Sequence, residues 1–290
     1  MATLRQIRRR IRSIENTAKI TKAMELVAAS KMRRAQTRAL AGRPYAEKMR
    51  SVLANLAKTL PLQEPEAIHP LMRRRPVQAI DIIHITPDRG LCGGLPANLN
   101  RHTASFIVER QLPVRLACIG RKGREFFRRS GMQVVAEFIG LGDYPSYEDV
   151  RPAARVVMDD YIQGLADEVY LSYALFVNTM VQRPEIFKLL PVESPTEAET
   201  WAVDYIYEPT REDIMAELLP RYVERQIYEA VLEAMASEQS ARMVAMRSAT
   251  DNANDMIREL TLTYNKARQE SITKELLELT GGAEVLRAER

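Results

Sequence analysis

The sequence predicts an α+β chain in which a long antiparallel coiled coil of N- and C-terminal helices carries an inserted α/β domain. Three observations lead there. Residues 3 to about 58 keep apolar residues at helical spacing, with only Gly42 and Pro44 against a helix. From about Glu212 to Leu286 only Pro220 interrupts before Gly281 and Gly282. Between these stretches the apolar period shortens to that of strands, and strands alternate with helices. With 290 residues, 46% hydrophobic and 28% charged, the composition excludes disorder and a collagen-like chain.

The N-terminal helix, assigned to residues 1–60, places Leu4, Ile7, Ile11, Ile14 and Ala18, then Met24, Val27, Ala28, Met32 and Ala35 on one stripe. Glu15, Lys19, Lys22 and Lys31 fall on other faces. Pro44 is expected to kink or interrupt this helix. The α/β domain, assigned to residues 75–208, contains strand candidates at 77–86, Val114–Gly120, Gln133–Phe138, Glu168–Val177, Phe187–Val192 and Val203–Tyr207. Helices are expected at about Leu95–Arg110, Lys122–Arg129 and Ser146–Gln163, the last with Ser146 and Glu148 in its first turn. Such alternation implies a largely parallel, Rossmann-like sheet. The C-terminal helix, residues 211–287, has a stripe rich in alanine: Ile227, Val231, Ala234, Ala241, Ala245, Ala249 and Ala253, continuing to Met256, Leu260, Ala267, Ile272, Leu276 and Leu279. Small residues permit close helix approach. At 1.5 Å per residue the two helices reach roughly 80 and 110 Å, too long for one compact domain, so each is expected to bury its stripe on the other.

The formal charge of +4 is unevenly distributed. Residues 1–50 hold fourteen Lys or Arg against three acidic residues, residues 51–210 seventeen against twenty, and residues 211–290 eleven against fifteen. The basic face formed by Arg5, Arg8, Arg9, Arg10, Arg12, Arg33, Arg34 and Arg38 suits either nucleic-acid phosphates or an acidic protein partner; no aromatic is interleaved before Tyr45. Two cysteines make no disulfide framework and no zinc motif. No apolar run reaches the roughly 18 residues of a membrane span, so membrane association is expected to be peripheral. The first fourteen residues have the Arg-rich, acid-free composition of a transit peptide, but the helical stripe runs on past them, and they are read as mature protein.

The motif DRGLCGG, Asp88–Gly94, lies at a strand-to-helix turn, where glycines and a helix N-terminus favour anions. Its spacing matches neither GxGxxG nor GxxxxGK[ST], which favours a structural or partner-contacting turn over a nucleotide site. Cys92 within it reads as a small packing residue, since His84 and His102 sit in the neighbouring elements without a shared triad spacing. Asp143, Glu148 and Asp149 form an acidic turn near Gly140 and Gly142 that is expected to be solvated. No catalytic, cofactor or metal constellation is expected.

Five blocks carry a resemblance: ENTAKITKAMELVAASKMRRAQ (Glu15–Gln36), RPYAEKMR (Arg43–Arg50), DRGLCGGL (Asp88–Leu95), ASEQSARMVAMRSATDNA (Ala236–Ala253) and YNKARQESITKELLEL (Tyr264–Leu279). Together they resemble the gamma subunit of the F-type ATP synthase along essentially the whole chain. That resemblance implies a non-catalytic central shaft, one copy per complex, whose paired helices enter a ring of three alpha and three beta subunits. The α/β domain would be a foot meeting epsilon and the c-ring of Fo. No nucleic acid and no direct membrane insertion are implied. Residues Lys19, Lys22, Met24 and Lys31 fall in the N-helix block, near the family's beta contacts, and Asp88, Arg89 and Cys92 belong to a loop near the same levers. Arg242, Gln269 and Thr273 match C-helix positions used for beta contact and coupling. Pro87 stands where the family commonly has serine. Ser194–Trp201 is short and lacks the cysteine-bearing insert of chloroplast versions, so redox gating is not implied; a bacterial version on the cytoplasmic face of the cell membrane is. The competing classes are a basic coiled-coil nucleic-acid-binding protein and a free-standing nucleotide-binding enzyme built on residues 75–210.

Overall fold

The computed structural model describes residues 3–58, 69–193, 208 and 210–288. Its regular elements are α1 (Leu4–Lys58), a 3-10 turn at Pro70–Met72, β1 (Ile80–Ile85), α2 (Leu95–Arg110), β2 (Val114–Ile119), α3 (Arg121–Arg129), β3 (Gln133–Phe138), α4 (Tyr147–Ile162), β4 (Glu168–Phe176), β5 (Gln182–Leu190) and α5 (Arg211–Ala288). They fall into two compact units, Met1–Val27 with Met243–Arg290, and Ala28–Arg242. The strand expected at Val203–Tyr207 and the segment Ser194–Trp201 lie outside the described residues.

Within the larger unit the five-stranded sheet has the order β3-β2-β1-β4-β5. Its first four strands are parallel, while β5 runs antiparallel to β4. The expected strand at Phe187–Val192 therefore starts five residues early, at Gln182, because a tight turn over Val177–Val181 folds the chain straight back. Arg183, Pro184 and Glu185 read as a loop, yet at a sheet edge proline leaves no partner strand short of a donor. β1 is buried along its whole length, as befits a central parallel strand, whereas edge strand β3 alternates exposed and half-buried residues. α4 begins on a capping box in which Ser146 and Asp149 each satisfy the other's backbone N–H.

The pleat divides the core. Ile83, Ile85, Ala117, Ile119, Leu171 and Tyr173 meet α4, the Met49–Leu56 turns of α1 and the Met215–Val231 turns of α5. Ile80, Ile82, Leu116, Cys118 and Tyr170 face Phe127 and the helices α2 and α3. Asp81 of β1, 2% exposed, accepts two hydrogen bonds from Arg115 of β2 at 3.0 and 3.1 Å. Arg115 also reaches Asp160 of α4. Burial pushes the Asp81 carboxyl up to about 6, against the pull of Arg115.

α1 and α5 contain 55 and 78 residues, about 80 and 115 Å of helix. Of the two outcomes expected for Pro44, interruption does not occur: α1 runs through it. The carbonyl of Leu40, which loses its helical partner at Pro44, belongs to a residue 55% exposed and so is open to solvent. At Gly42 the Arg225 guanidinium passes within 1.7 Å of where a Cβ would stand and lies 5.7 Å from the centre of the Tyr45 ring, so a larger residue would make that side chain shift.

In the smaller unit the two helices pair antiparallel. Thr21 and Thr250 share a 2.7 Å hydrogen bond, and Arg8 lies 5.3 Å over the Tyr264 ring. A run of covered positions spaced alternately by three and four passes through Leu4, Ile7, Ile11, Ile14, Ala18, Thr21 and Glu25 on α1 and through Met246, Thr250, Ala253, Ile257, Leu260, Tyr264, Ala267 and Ser271 on α5, with Met24 and Ala249 half-buried beside it. Several expected seam residues therefore lie outside it. Val27 is 53% exposed, and Met256, Ile272, Leu276 and Leu279 are 43%, 43%, 57% and 71% exposed. Strict spacing carries the seam through polar Thr21 and Thr250, which satisfy each other. Past Ser271 the register has run beyond the start of α1, so Ile272, Leu276 and Leu279 have no residue of α1 to cover them.

Arg115→Met is expected to destabilise the fold by about 3 kcal/mol at pH 8, because Asp81 then keeps a buried charge without its partner. The loss should shrink toward pH 5 as that carboxyl protonates. Urea unfolding at the two pH values measures both.

Candidate functional site

The DRGLCGG segment links β1 to α2 at the carboxyl edge of the sheet. Asp88 holds it down by accepting from two backbone amides, Arg121 N at 2.9 Å and Gly140 N at 2.8 Å. The α3 N-terminus, where an α/β fold offers its amides to phosphate, thus already carries an internal carboxylate. Gly120, just before α3, has φ 99°, and a Cβ would lie 1.8 Å from the Thr86 carbonyl oxygen. Glycine alone fits this approach of the two loops. Pro87 is buried, and its carbonyl accepts from Lys122 N at 3.1 Å.

Cys92 is 1% exposed, and its thiol donates to the Arg89 carbonyl at 3.7 Å. Burial raises its pKa above the ordinary thiol value, with Glu238 adding to the effect, so it is a packing thiol and a poor nucleophile. Arg89 is exposed.

The strand order reverses between β1 and β4, and a Rossmann-like sheet receives its ligand at that crevice. Here α5 lies in it. Ser237 Oγ donates to the Ala174 carbonyl at 2.8 Å, and Ala241 packs on Leu95, Leu99 and Ala174. Ser240 Oγ donates to the Thr179 carbonyl at 2.8 Å. Arg242 donates to Glu238 at 2.6 Å and to the Gly90 carbonyl at 3.4 Å. A cavity of about 180 Å³ remains between Asp88, Gly140, Val231 and Glu238, and a second of about 790 Å³ lies between α2 and α3, lined by Gly93, Asn100, Lys122 and Phe126. The arrangement seats a helix of this chain where a Rossmann-like sheet receives its ligand.

Among the residues singled out from sequence, Asp88, Arg89, Cys92 and Arg242 come together around this loop. Lys31 donates to Asp143 at 2.7 Å in the same unit, so the acidic turn is not free in solvent. The others lie in the smaller unit. Lys19 is exposed, Lys22 pairs with Glu25 at 2.9 Å, and Met24 is half-buried. Gln269 and Thr273 are exposed, and the seam register puts them at and beyond the start of α1, away from Lys19, Lys22 and Met24. Among the described residues, no group of His, Cys, Asp and Glu is placed to hold a metal ion, and no helix is long and apolar enough to cross a membrane.

The family profile for ATP synthase matches residues 3–286. An ATP synthase gamma chain of Dehalococcoides mccartyi strain CBDB1 is 57% identical over 286 residues, covering 99% of this chain and all of its own. One of Herpetosiphon aurantiacus is 52% identical, covering 99% of both. The chain belongs to the ATP synthase gamma-chain family. Solved structures agree in fold. A chain of the Tetrahymena thermophila mitochondrial ATP synthase central stalk and c-ring superposes with TM-score 0.60 at 25% identity, over 79% of this chain and 99% of its own. One from the Euglena gracilis mitochondrial ATP synthase, with OSCP, F1 and c-ring, reaches 0.69 at 19% identity, over 98% and 95%.

Two features of this gamma-family chain escape sequence reading. The first is Leu91, 61% exposed with φ 65°, a strained conformation for a branched residue that puts an apolar side chain at the tip of the loop. Its signal was the five-residue crowding of glycines around it. The second is a buried polar cluster. His84, fully buried, meets Asn100 Oδ1 through Nε2 at 2.8 Å and Thr103 and Ser172 through Nδ1 at 3.2 and 3.3 Å. Desolvation lowers the His84 pKa to about 4, so the ring is neutral, enclosed and locked between α2 and β4. Nothing local in the sequence joins these four residues.

Two outcomes follow for this gamma-family fold. Below pH 6.5 the unfolded chain takes up a proton on His84 that the folded chain refuses down to about pH 4. Stability should therefore fall across that window by an amount on the order of 3 kcal/mol, and His84→Gln should flatten this part of a pH series of thermal melts. Asp88→Ala removes an acceptor from two amides and should cost about 2 kcal/mol in chemical denaturation.

Proposed function

We infer that this chain is the central rotary shaft of an F-type ATP synthase, converting ion-driven rotation of the c-ring into ATP formation at the beta subunits, or the reverse. The observation that carries this is the match to ATP synthase gamma chains along the full length of the sequence. The shaft itself breaks no bond. Its one loop cysteine is buried with a raised pKa, its strand histidine is enclosed, and the carboxylate at its most phosphate-like helix end is engaged by two amides.

One copy stands in a ring of three alpha and three beta subunits, with epsilon and the c-ring of Fo at the α/β unit. Central-stalk and c-ring assemblies among the solved relatives support that setting. The complex sits peripherally on the cytoplasmic face of a bacterial membrane, as the bacterial relatives suggest. Beta contact is assigned to exposed Lys19 and Lys22, to Met24, to Arg89 with Leu91 at the loop tip, to Arg242, and near the C-terminal end to Gln269 and Thr273. Exposed lysine, arginine and polar side chains of this kind make shallow contacts, which suits surfaces that are broken and remade during rotation.

Native mass spectrometry of the tagged chain co-expressed with its host's alpha, beta and epsilon subunits is expected to find one copy bound to three alpha and three beta chains. Charge reversal Lys22→Glu should lower ATP-driven ion pumping relative to hydrolysis without changing that stoichiometry. A chain that ignores a properly formed ring and instead binds DNA in a salt-sensitive way would overturn the assignment.

A further inference from the structure

The loop between β3 and α4 ties α1 to the rest of its unit. Its root is held by Asp88, which accepts from Gly140 N at 2.8 Å. Gly140 and Gly142 both have φ 76°, leaving a glycine hinge on each side of Leu141. The tip lies on α1, where Lys31 donates to Asp143 at 2.7 Å, Arg34 donates to the Tyr144 hydroxyl at 3.2 Å, and the Arg38 guanidinium sits 4.9 Å over the Tyr144 ring. α1 needs such a hold at this level. Ala28, Met32 and Ala35 are buried, but no described side chain from Gln36 to Lys48 is, and apolar burial resumes only at Met49. Two alanines and a methionine remove little area from water, so polar contacts carry the helix through this stretch.

We propose that residues 139–145 form a strap that keys α1 to the α/β unit, with Lys31, Arg34, Arg38, Asp143 and Tyr144 as positioning residues for torque. This rests on the shaft reading above. Lys31 therefore acts inside its own chain, in contrast to the beta contact that the family resemblance implies for it.

The test separates the two readings. In the full chain, Lys31→Met is expected to speed hydrogen exchange of the Gly140–Tyr144 amides about two- to fivefold, the weight of one partly exposed ion pair. Tyr144→Leu should do the same by removing the stack. In the assembled complex, Lys31→Glu should lower the ratio of ion pumping to hydrolysis, and the exchange Lys31→Glu with Asp143→Lys should restore it. Unchanged amide exchange in both single variants overturns the strap. A pumping defect that the double exchange does not restore also overturns it, because Lys31 then answers to a charge on another subunit. If the unaltered chain joins no alpha–beta ring while its exchange responds as stated, the shaft reading fails and the torque role fails with it.

Discussion

Close approach of α5 to the carboxyl edge of the sheet is the constraint on which the larger unit depends. Ser237 and Ala241 are small enough to let the helix backbone settle over β4, and the serine hydroxyl donates to the Ala174 carbonyl there. Once the helix is there, the other features follow. α5 occupies the crevice at the strand-order reversal, Arg242 reaches the DRGLCGG loop, and Asp88 is left to organise two neighbouring loops. A fold that elsewhere closes on a dinucleotide here closes on its own polypeptide, which explains why glycines at a strand-to-helix turn lack the remainder of a phosphate fingerprint.

Much of this was readable from local pattern. Period alone located α1, α2, α4 and α5 and the parallel strands, because each buries a face whose spacing is set by its own geometry. Errors arose where the decisive partner is distant in sequence. β5 was cut short because Pro184 is acceptable only at an edge, and the edge is a property of the sheet. Thr21 is absent from the expected stripe, because it joins the seam only through Thr250, 229 residues away. The stripe was carried too far along α5 because the end of α1's coverage is a matter of register.

The site was less legible than the fold, for the same reason. Cys92 read correctly as packing, and Asp88 and Arg242 lay in recognisable blocks, yet nothing near Lys31 announced Asp143, 112 residues on. The His84 cluster draws on β1, α2 and β4, so four ordinary residues become one network only after the sheet has formed. Buried networks of that kind specify a single packing, since any slip leaves several polar atoms without partners at once.

The alternation of three and four along the covered positions of the smaller unit has a mechanical corollary. A mean repeat of 3.5 winds two helices around each other left-handedly. From Met246 to Ser271 the covered positions span about 38 Å of helix, roughly a quarter of a superhelical turn. A left-handed rope responds unequally to the two senses of twist: one winds its strands tighter onto the alanine and threonine contacts, and the other slackens them. The paired helices are thus an elastic element with a handedness, stiffer in one direction of turning than in the other, before any neighbouring subunit is considered.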